Sequence, residues 1–208
     1  RDNKMTSTTT SDIKIILGSS SIWRKKVLSD HMGYTFTTMS PDIDEKAIRD
    51  PDARKLTMMI SNAKADALLS KVKEPAILIC SDQVIVHNNI IREKPDTIST
   101  ITDTKDICRE YLRSYEFHPA ECIASVVVVN TQTGKRVQGT DVASMYFKRI
   151  PEEVIERLIA QGDVMNCAGG FTAEHMEEYI DRCEGEFETV MGLPKTMTAR
   201  LIEEAKNS

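Results

Sequence analysis

Residues 76–86 of this 208-residue chain are Ala-Ile-Leu-Ile-Cys-Ser-Asp-Gln-Val-Ile-Val, an apolar run interrupted by three polar residues. The continuous apolar half, residues 76–80, predicts a strand that is buried on both faces. A carboxylate between two apolar halves is costly to bury unless it is paired with a cation or used in chemistry. Asp82 therefore marks a candidate cleft. The competing interpretation is a strand end or bulge at which Asp82 turns to solvent.

The segments on either side of this strand predict a mixed-sheet α/β domain, because both hairpin turns and crossover connections occur. Residues 1–12 are polar and are expected to be disordered, which leaves one domain over residues 13–206. The further predicted strands are 14–17, 34–39, 84–87, 90–92, 120–130, 135–147 and 186–190. The predicted helices are 22–32, 55–70, 103–114, 151–160 and 196–206.

The composition excludes several classes of function. A net charge of −5 argues against a groove for a nucleic-acid polymer, although a basic pocket for a phosphorylated small molecule stays compatible. No apolar run approaches the length of a membrane helix, so no membrane partner is expected. The five cysteines are widely spaced without a C-x-x-C pair, which favours reduced, buried thiols in a cytoplasmic protein over disulfides or zinc.

Residues 14–25 predict a strand, a serine-rich loop and a helix N-terminus, a combination that suits phosphate binding. Ser19 offers a hydroxyl donor and Arg24 a planar fork of N–H groups. The competing interpretation is that a serine only caps the helix and Arg24 is solvated.

Glu45, Lys64 and Lys94 are each most simply explained as solvated charges. Together with Arg24 and Asp82, however, they would give three cations and two carboxylates, a suitable set for a metal–triphosphate substrate.

The glycine-containing stretch 167–171 is followed by Glu174, a carboxylate that could accept paired hydrogen bonds from a base edge with two donors. The alternative is a turn that carries a surface acid.

Seven stretches occur in the order and spacing of one known family, and the chain resembles the Maf-like nucleotide pyrophosphatases over nearly all of residues 13–206. The stretches are 17–24, 41–45, 62–65, 81–84, 93–95, 167–171 and 190–194. The resemblance implies a Maf/ITPase-like α/β fold: an elongated, curved mixed sheet flanked by helices, with two lobes around a central cleft. It also implies that a nucleoside triphosphate is hydrolysed between its α and β phosphates.

The resemblance implies a divalent metal cofactor (magnesium, manganese or cobalt) and specific residue roles. Asp82 is implied as the general base and a metal ligand, and Glu45 as a metal or water ligand. A homodimer and a monomer both stay open. The implied phosphate ligands are Ser19, Arg24, Lys64 and Lys94.

Three positions distinguish two branches of the family. Trp23, Gln83 and Glu174 resemble the 7-methyl-GTP branch, whereas the dTTP/UTP branch typically has Arg, Thr and Gln. Methylation at N7 gives guanine a positive charge, and an indole is the best aromatic partner for a cation. The alternatives are a core role for Trp23, dTTP/UTP hydrolysis, and a non-catalytic nucleotide-binding regulator of cell division.

Two departures from the family pattern are expected to alter local loops. Ile22 stands where the family has Pro, and residues 175–178, His-Met-Glu-Glu, replace a glycine-rich stretch.

Overall fold

The computed structural model describes residues 13–95 and 103–207, so the expectation for residues 1–12 lies outside the described residues. Seven strands form one sheet in the order β2-β1-β3-β5-β6-β7, and β4 pairs with the far part of β3. β1 is parallel to both β2 and β3, and the other pairs are antiparallel. The predicted mixed α/β class is thereby confirmed. The strands are β1 Lys14–Leu17, β2 Thr37–Thr38, β3 Ala76–His87, β4 Ile90–Arg92, β5 Ala120–Asn130, β6 Arg136–Phe147 and β7 Ile180–Glu184.

Helices cover both faces of the sheet. The first α-helix continues directly into a π-helical turn over Val27–His31. Four short 3₁₀ turns follow one another between the fourth helix and β7, and a fifth lies before the second helix. The α-helices are α1 Ile22–Lys26, α2 Ala53–Leu69, α3 Thr104–Ser114, α4 Glu152–Gln161, α5 Phe187–Val190 and α6 Lys195–Lys206. The 3₁₀ turns are Glu45–Ala47, Asp163–Asn166, Ala168–Gly170, Ala173–His175 and Glu177–Tyr179.

β3 is one continuous strand rather than the two pieces predicted. Its ladder with β5 runs without a register shift from Ile77 opposite Asn130 to Val86 opposite Glu121. The interpretation of Asp82 as a strand end or bulge is therefore wrong, since Asp82 pairs in register and is only 6% exposed.

Successive side chains of β3 point to opposite faces of the sheet. Ile77 and Ile79 pack in the core cluster that includes residues of the π-helical turn and of α6. Leu78 and Cys80 pack in the cluster that includes Leu68 of α2. The prediction of a strand buried on both faces is confirmed. The same alternation determines which face of the sheet Ser81, Asp82 and Gln83 point to.

Two predicted strands are wrong in whole or in part. Residues 186–190 form the short helix α5, because Gly185 at φ +100° ends β7 and the chain turns there. Thr189 N–H then donates to the Glu186 carbonyl and closes the first turn. The strand predicted over 34–39 shrinks to Thr37–Thr38, which pair with the carboxyl end of the four-residue β1.

All five cysteines are free thiols, and burial raises the pKa of Cys80 to about 12. No helix within the described ranges is long and apolar enough to cross a membrane.

Candidate active site

One cleft of about 500 Å³ is lined by every site residue that the sequence predicted. It lies between the loop that joins β1 to α1, the middle of β3, and the 3₁₀ turns that follow α4. The predicted residues in its wall are Ser19, Trp23, Arg24, Glu45, Lys64, Asp82, Gln83, Lys94 and Glu174.

The centre of the cleft is a buried ion cluster around Lys64. The Lys64 Nζ lies 2.8 Å from Asp82 Oδ1 and 3.0 Å from Glu45 Oε1. It also donates to the Ser81 carbonyl at 3.4 Å. Lys64 and Asp82 are 5% and 6% exposed, so their charges are held away from water and must compensate each other. The interpretation of Lys64 as a solvated charge is wrong.

Glu45 faces this cluster from a 3₁₀ turn that Asp44 caps by accepting from the Lys46 N–H. Burial alone would raise the pKa of Glu45, but the attraction of Lys64, and then of Lys94 and Arg24, outweighs it and holds that pKa below its usual value. Lys94 itself is exposed at the cleft wall. Glu45 therefore carries its charge at neutral pH.

Arg24 is fixed by backbone carbonyls rather than solvated, so that alternative is wrong. Its Nε donates to the Gly192 carbonyl and its Nη1 to the Ser81 carbonyl, each at 3.0 Å. These bonds use two of the five guanidinium N–H donors of Arg24, which lines the cleft.

The alternative prediction that a serine caps the first helix is confirmed. Ser21 caps α1 by accepting from the Arg24 N–H, and the Ser19 hydroxyl oxygen accepts from the Ser21 N–H. Ser19 is buried in the cleft wall, where its hydroxyl hydrogen can still be donated.

The donor set suits a metal that is completed by a substrate. Within the described ranges, no group of three or more histidine, cysteine, aspartate or glutamate side chains is placed to hold a metal. Two carboxylates, Asp82 and Glu45, converge on the Lys64 nitrogen. Magnesium sites that act on phosphates commonly use one or two carboxylates together with phosphate oxygens and water.

The other end of the cleft holds Trp23 and Glu174. The Trp23 ring is half-buried and packs edge-to-face with His175 at a centroid distance of 6.1 Å. Lys26 Nζ lies 5.8 Å from the same ring. Trp23 also packs against the core cluster of the π-helical turn and α6, so it is both a packing residue and part of the cleft wall.

Glu174 is half-buried in the cleft wall. Its Oε1 atom is buried without a hydrogen-bond partner, and burial raises the pKa of its carboxyl above the usual value. An unpartnered buried carboxylate oxygen is costly unless a ligand supplies donors.

Gln83 lines the cleft, but its amide is already used. Its Nε2 donates to the Val190 carbonyl at 2.9 Å and points toward the Thr189 carbonyl at 3.4 Å. Gln83 Nε2 thus holds the segment that leads to Gly192.

Sequence analysis missed the part played by Ser81 and Gly192. The Gly192 carbonyl accepts from both the Ser81 hydroxyl, at 2.8 Å, and Arg24. Gly192 has φ +95°, and a Cβ there would lie 2.8 Å from Gln83 Oε1 and 3.0 Å from Arg24 Nε. The stretch 190–194 carried the signal, because a glycine before Leu-Pro indicates a special backbone position.

Of the two departures, Ile22 lines the cleft, and His175 lies behind it against Trp23. His175, from the stretch that replaces the family's glycines, contacts Trp23 and lies 3.6 Å from Asp163. Ile22 lies at the cleft mouth with 66% of its surface exposed.

The family model for Maf-like proteins matches residues 14–205. The chain belongs to the Maf-like family. It is 61% identical to a 7-methyl-GTP pyrophosphatase of Dictyostelium discoideum, over 91% of this chain and 96% of that protein. It is 30% identical to a dTTP/UTP pyrophosphatase of Alkaliphilus metalliredigens, over 87% of this chain and 90% of that protein. A dITP/XTP pyrophosphatase structure from Mycobacterium abscessus aligns with 80% of this Maf-like chain and 90% of its own, at a TM-score of 0.40 and 10% identity.

Proposed function

We propose that this Maf-like protein hydrolyses 7-methyl-GTP to 7-methyl-GMP and pyrophosphate, which removes a modified nucleotide from the cellular pool. The observation that supports this choice of substrate is the presence of an indole and of an unpartnered carboxylate oxygen at one end of the cleft. The relative that shares 61% of its sequence bears the same substrate in its name.

The side chains at the base end of the cleft are complementary to a methylated guanine. The positively charged ring of 7-methylguanine stacks on the Trp23 indole, a contact worth about 0.5–2 kcal/mol depending on desolvation. Glu174 accepts from N1–H and from the exocyclic amine, and these hydrogen bonds are strengthened by the carboxylate charge. Uracil and thymine have no cationic ring and no second donor at that edge.

The other end binds the triphosphate. Arg24 and Lys64 are rigidly placed, and Lys94 and Ser19 line the same wall. Fixed positive charge in a cleft that excludes water stabilises charge that develops on phosphate oxygens during the reaction. We assign the four residues as phosphate ligands.

The reaction begins when a water molecule forms a bond to the α-phosphorus. Asp82 accepts the proton of that water. The bond between the α-phosphorus and its bridging oxygen breaks, and pyrophosphate leaves with the electron pair. Asp82 suits this role because Lys64 and the β3 ladder fix its position.

We assign Glu45 and Asp82 as the protein ligands of a divalent cation, which is magnesium, manganese or cobalt. When bound, such an ion neutralises phosphate charge and assists deprotonation of water. We place the enzyme in the cytoplasm, because five free thiols are typical of a reducing compartment.

One substrate panel tests the proposal. Purified protein is incubated with Mg²⁺ or Mn²⁺ and 7-methyl-GTP, GTP, UTP or dTTP, and released pyrophosphate is measured, with EDTA as the metal-free control. We expect the highest kcat/KM for 7-methyl-GTP and no turnover in EDTA. Preference for UTP or dTTP would instead indicate the activity named for the 30% identical relative. Binding of 7-methyl-GTP without hydrolysis would indicate a non-catalytic regulator.

A further inference from the structure

Three buried side-chain oxygens in the described ranges have no hydrogen-bond partner, and two of them belong to residues of the cleft wall. These are Glu174 Oε1 and Thr172 Oγ1; the third, Thr198 Oγ1, belongs to α6 outside the cleft. A buried polar atom without a partner is rare in a native fold and calls for an explanation. The mechanism above uses Glu174 and leaves Thr172 without a role.

Thr172 lies in extended backbone that forms part of the cleft wall. Phe171 and Thr172 are both extended, with φ −141° and −123°. Side chains alternate in direction along extended backbone. Phe171 and Ala173 on either side of Thr172 pack in the core cluster, and all three residues line the cleft.

We propose that Thr172 is a further specificity residue, whose hydroxyl donates a hydrogen bond to the 6-oxo group of a guanine base. The inference rests on the proposed function for the identity of the base. The edge of guanine that carries two donors for Glu174 also carries one acceptor, the 6-oxygen. A hydroxyl two residues from Glu174 supplies the matching donor. The two otherwise unpartnered side chains then satisfy the donor and acceptor groups of a single base edge.

The hydroxyl is 97% covered together with the rest of its side chain, since Thr172 is 3% exposed. The inference requires the Thr172 side chain to rotate so that its hydroxyl meets a base seated in the cleft; a buried polar group paired in this way discriminates strongly against bases that lack the acceptor.

The test compares 7-methyl-GTP with its 6-thio analogue, which keeps N1–H and the amino group but offers a weaker acceptor. We expect the wild-type protein to prefer the oxo form about tenfold in kcat/KM, which is the scale of one hydrogen bond. Thr172→Val, which replaces the hydroxyl by a methyl group of similar size, is expected to bring that preference close to one. Thr172→Ser, which keeps the hydroxyl, is expected to retain it.

Thr198→Val is the matched control, because it removes the other unpartnered buried threonine hydroxyl. Both valine variants are expected to keep or raise the melting temperature, and Thr198→Val is expected to leave the oxo preference unchanged. The inference is overturned if Thr172→Val keeps the full preference for the oxo nucleotide. It is also overturned if Thr172→Ser loses this preference as completely as Thr172→Val does, or if Thr198→Val loses it. Should Thr172→Val fail to fold, Thr172→Ala removes the same hydroxyl and the same ratio is read.

Binding separates this inference from the proposed function. The dissociation constants of the two nucleotides, measured by calorimetry in EDTA, give the oxo preference without any turnover. A wild-type protein that binds 7-methyl-GTP but does not hydrolyse it contradicts the proposed function. In that case the ratio of the thio and oxo dissociation constants is compared between wild type and Thr172→Val. A smaller ratio in Thr172→Val supports the role of Thr172, and an unchanged ratio overturns it.

Discussion

The two ends of the cleft differ in how completely their polar groups are satisfied. At the phosphate end, the Lys64 nitrogen has three acceptors and Arg24 is held by two carbonyls. At the base end, Glu174 and Thr172 each have a buried oxygen without a partner. The phosphate end is therefore built before the substrate arrives, whereas the base end is completed by it. Changes at the first end should affect turnover and stability, and changes at the second should affect the choice of base.

The largest effect is expected from Asp82→Asn. An amide cannot accept the proton of the attacking water, and loss of a general base typically lowers the rate about 10²–10⁴-fold. We expect kcat for 7-methyl-GTP to fall in that range, measured by pyrophosphate release.

Asp66→Asn is the matched control, since Asp66 pairs with Arg136 on the surface of α2. It is expected to leave kcat unchanged. Turnover by Asp82→Asn within twofold of wild type would remove Asp82 from the role of base.

The next effect concerns stability. Lys64→Met leaves Asp82 as a buried carboxylate without its cation, and breaking a buried pair in this way typically costs about 3–5 kcal/mol. We expect urea denaturation at neutral pH to show a loss on that scale.

Lys64→Met combined with Asp82→Asn should recover part of the stability, because the uncompensated charge is gone. If the single variant were as stable as the wild-type protein, the phosphate end would not be held by this ion pair.

A smaller effect is expected at the base end. Trp23→Ala removes the indole face, and we expect KM for 7-methyl-GTP to rise about tenfold, within the range for a desolvated cation–π contact. KM for GTP, which has no ring charge, should rise less.

Trp23→Phe keeps an aromatic ring and should give an intermediate KM. Equal increases for the methylated and unmethylated nucleotides would restrict Trp23 to packing in the core.

The smallest effect concerns pH. Burial raises the pKa of Glu174, so this carboxyl takes up its proton at a higher pH than an exposed glutamate does. Protonation removes the charge that strengthens its bonds to the base, and we expect KM for 7-methyl-GTP to rise several-fold as the pH falls through that raised value. Because this pKa is higher in the folded state, protonation of Glu174 stabilises the folded protein. This contribution to the free energy of unfolding is lost as the pH rises through the folded-state pKa.

Glu174→Gln should give a KM that is high and independent of pH over this range. A wild-type profile that matches the Glu174→Gln profile would contradict the assignment.

Sequence analysis predicted more of the phosphate end than of the base end. An aspartate inside an apolar strand predicts burial with a cation, and Lys64 is that partner of Asp82, although Lys64 taken alone is most simply interpreted as a solvated charge. The carbonyls that hold Arg24 lie 57 and 168 residues away, and a backbone acceptor has no signature in the side-chain pattern.

The other misses have a similar physical origin. The four residues of α5 are too few to separate a helical period from a strand period, which explains the wrong prediction for 186–190. Thr172 was missed because a threonine in a glycine-rich loop is most often an ordinary turn residue. The lack of a hydrogen-bond partner for its hydroxyl can be recognised only in the folded structure.

The alternation of β3 has a consequence for insertions and deletions. Asp82 faces α2 and its lysine, while Ser81 and Gln83 on either side face the segment that ends in Gly192. Loss or gain of one residue between 76 and 81 would turn each of these three side chains to the opposite layer, unless the ladder took up the change as a bulge. The length of this strand segment is therefore as much a determinant of activity as the identity of Asp82, and drift in this family should tolerate substitutions here far better than a change in residue count.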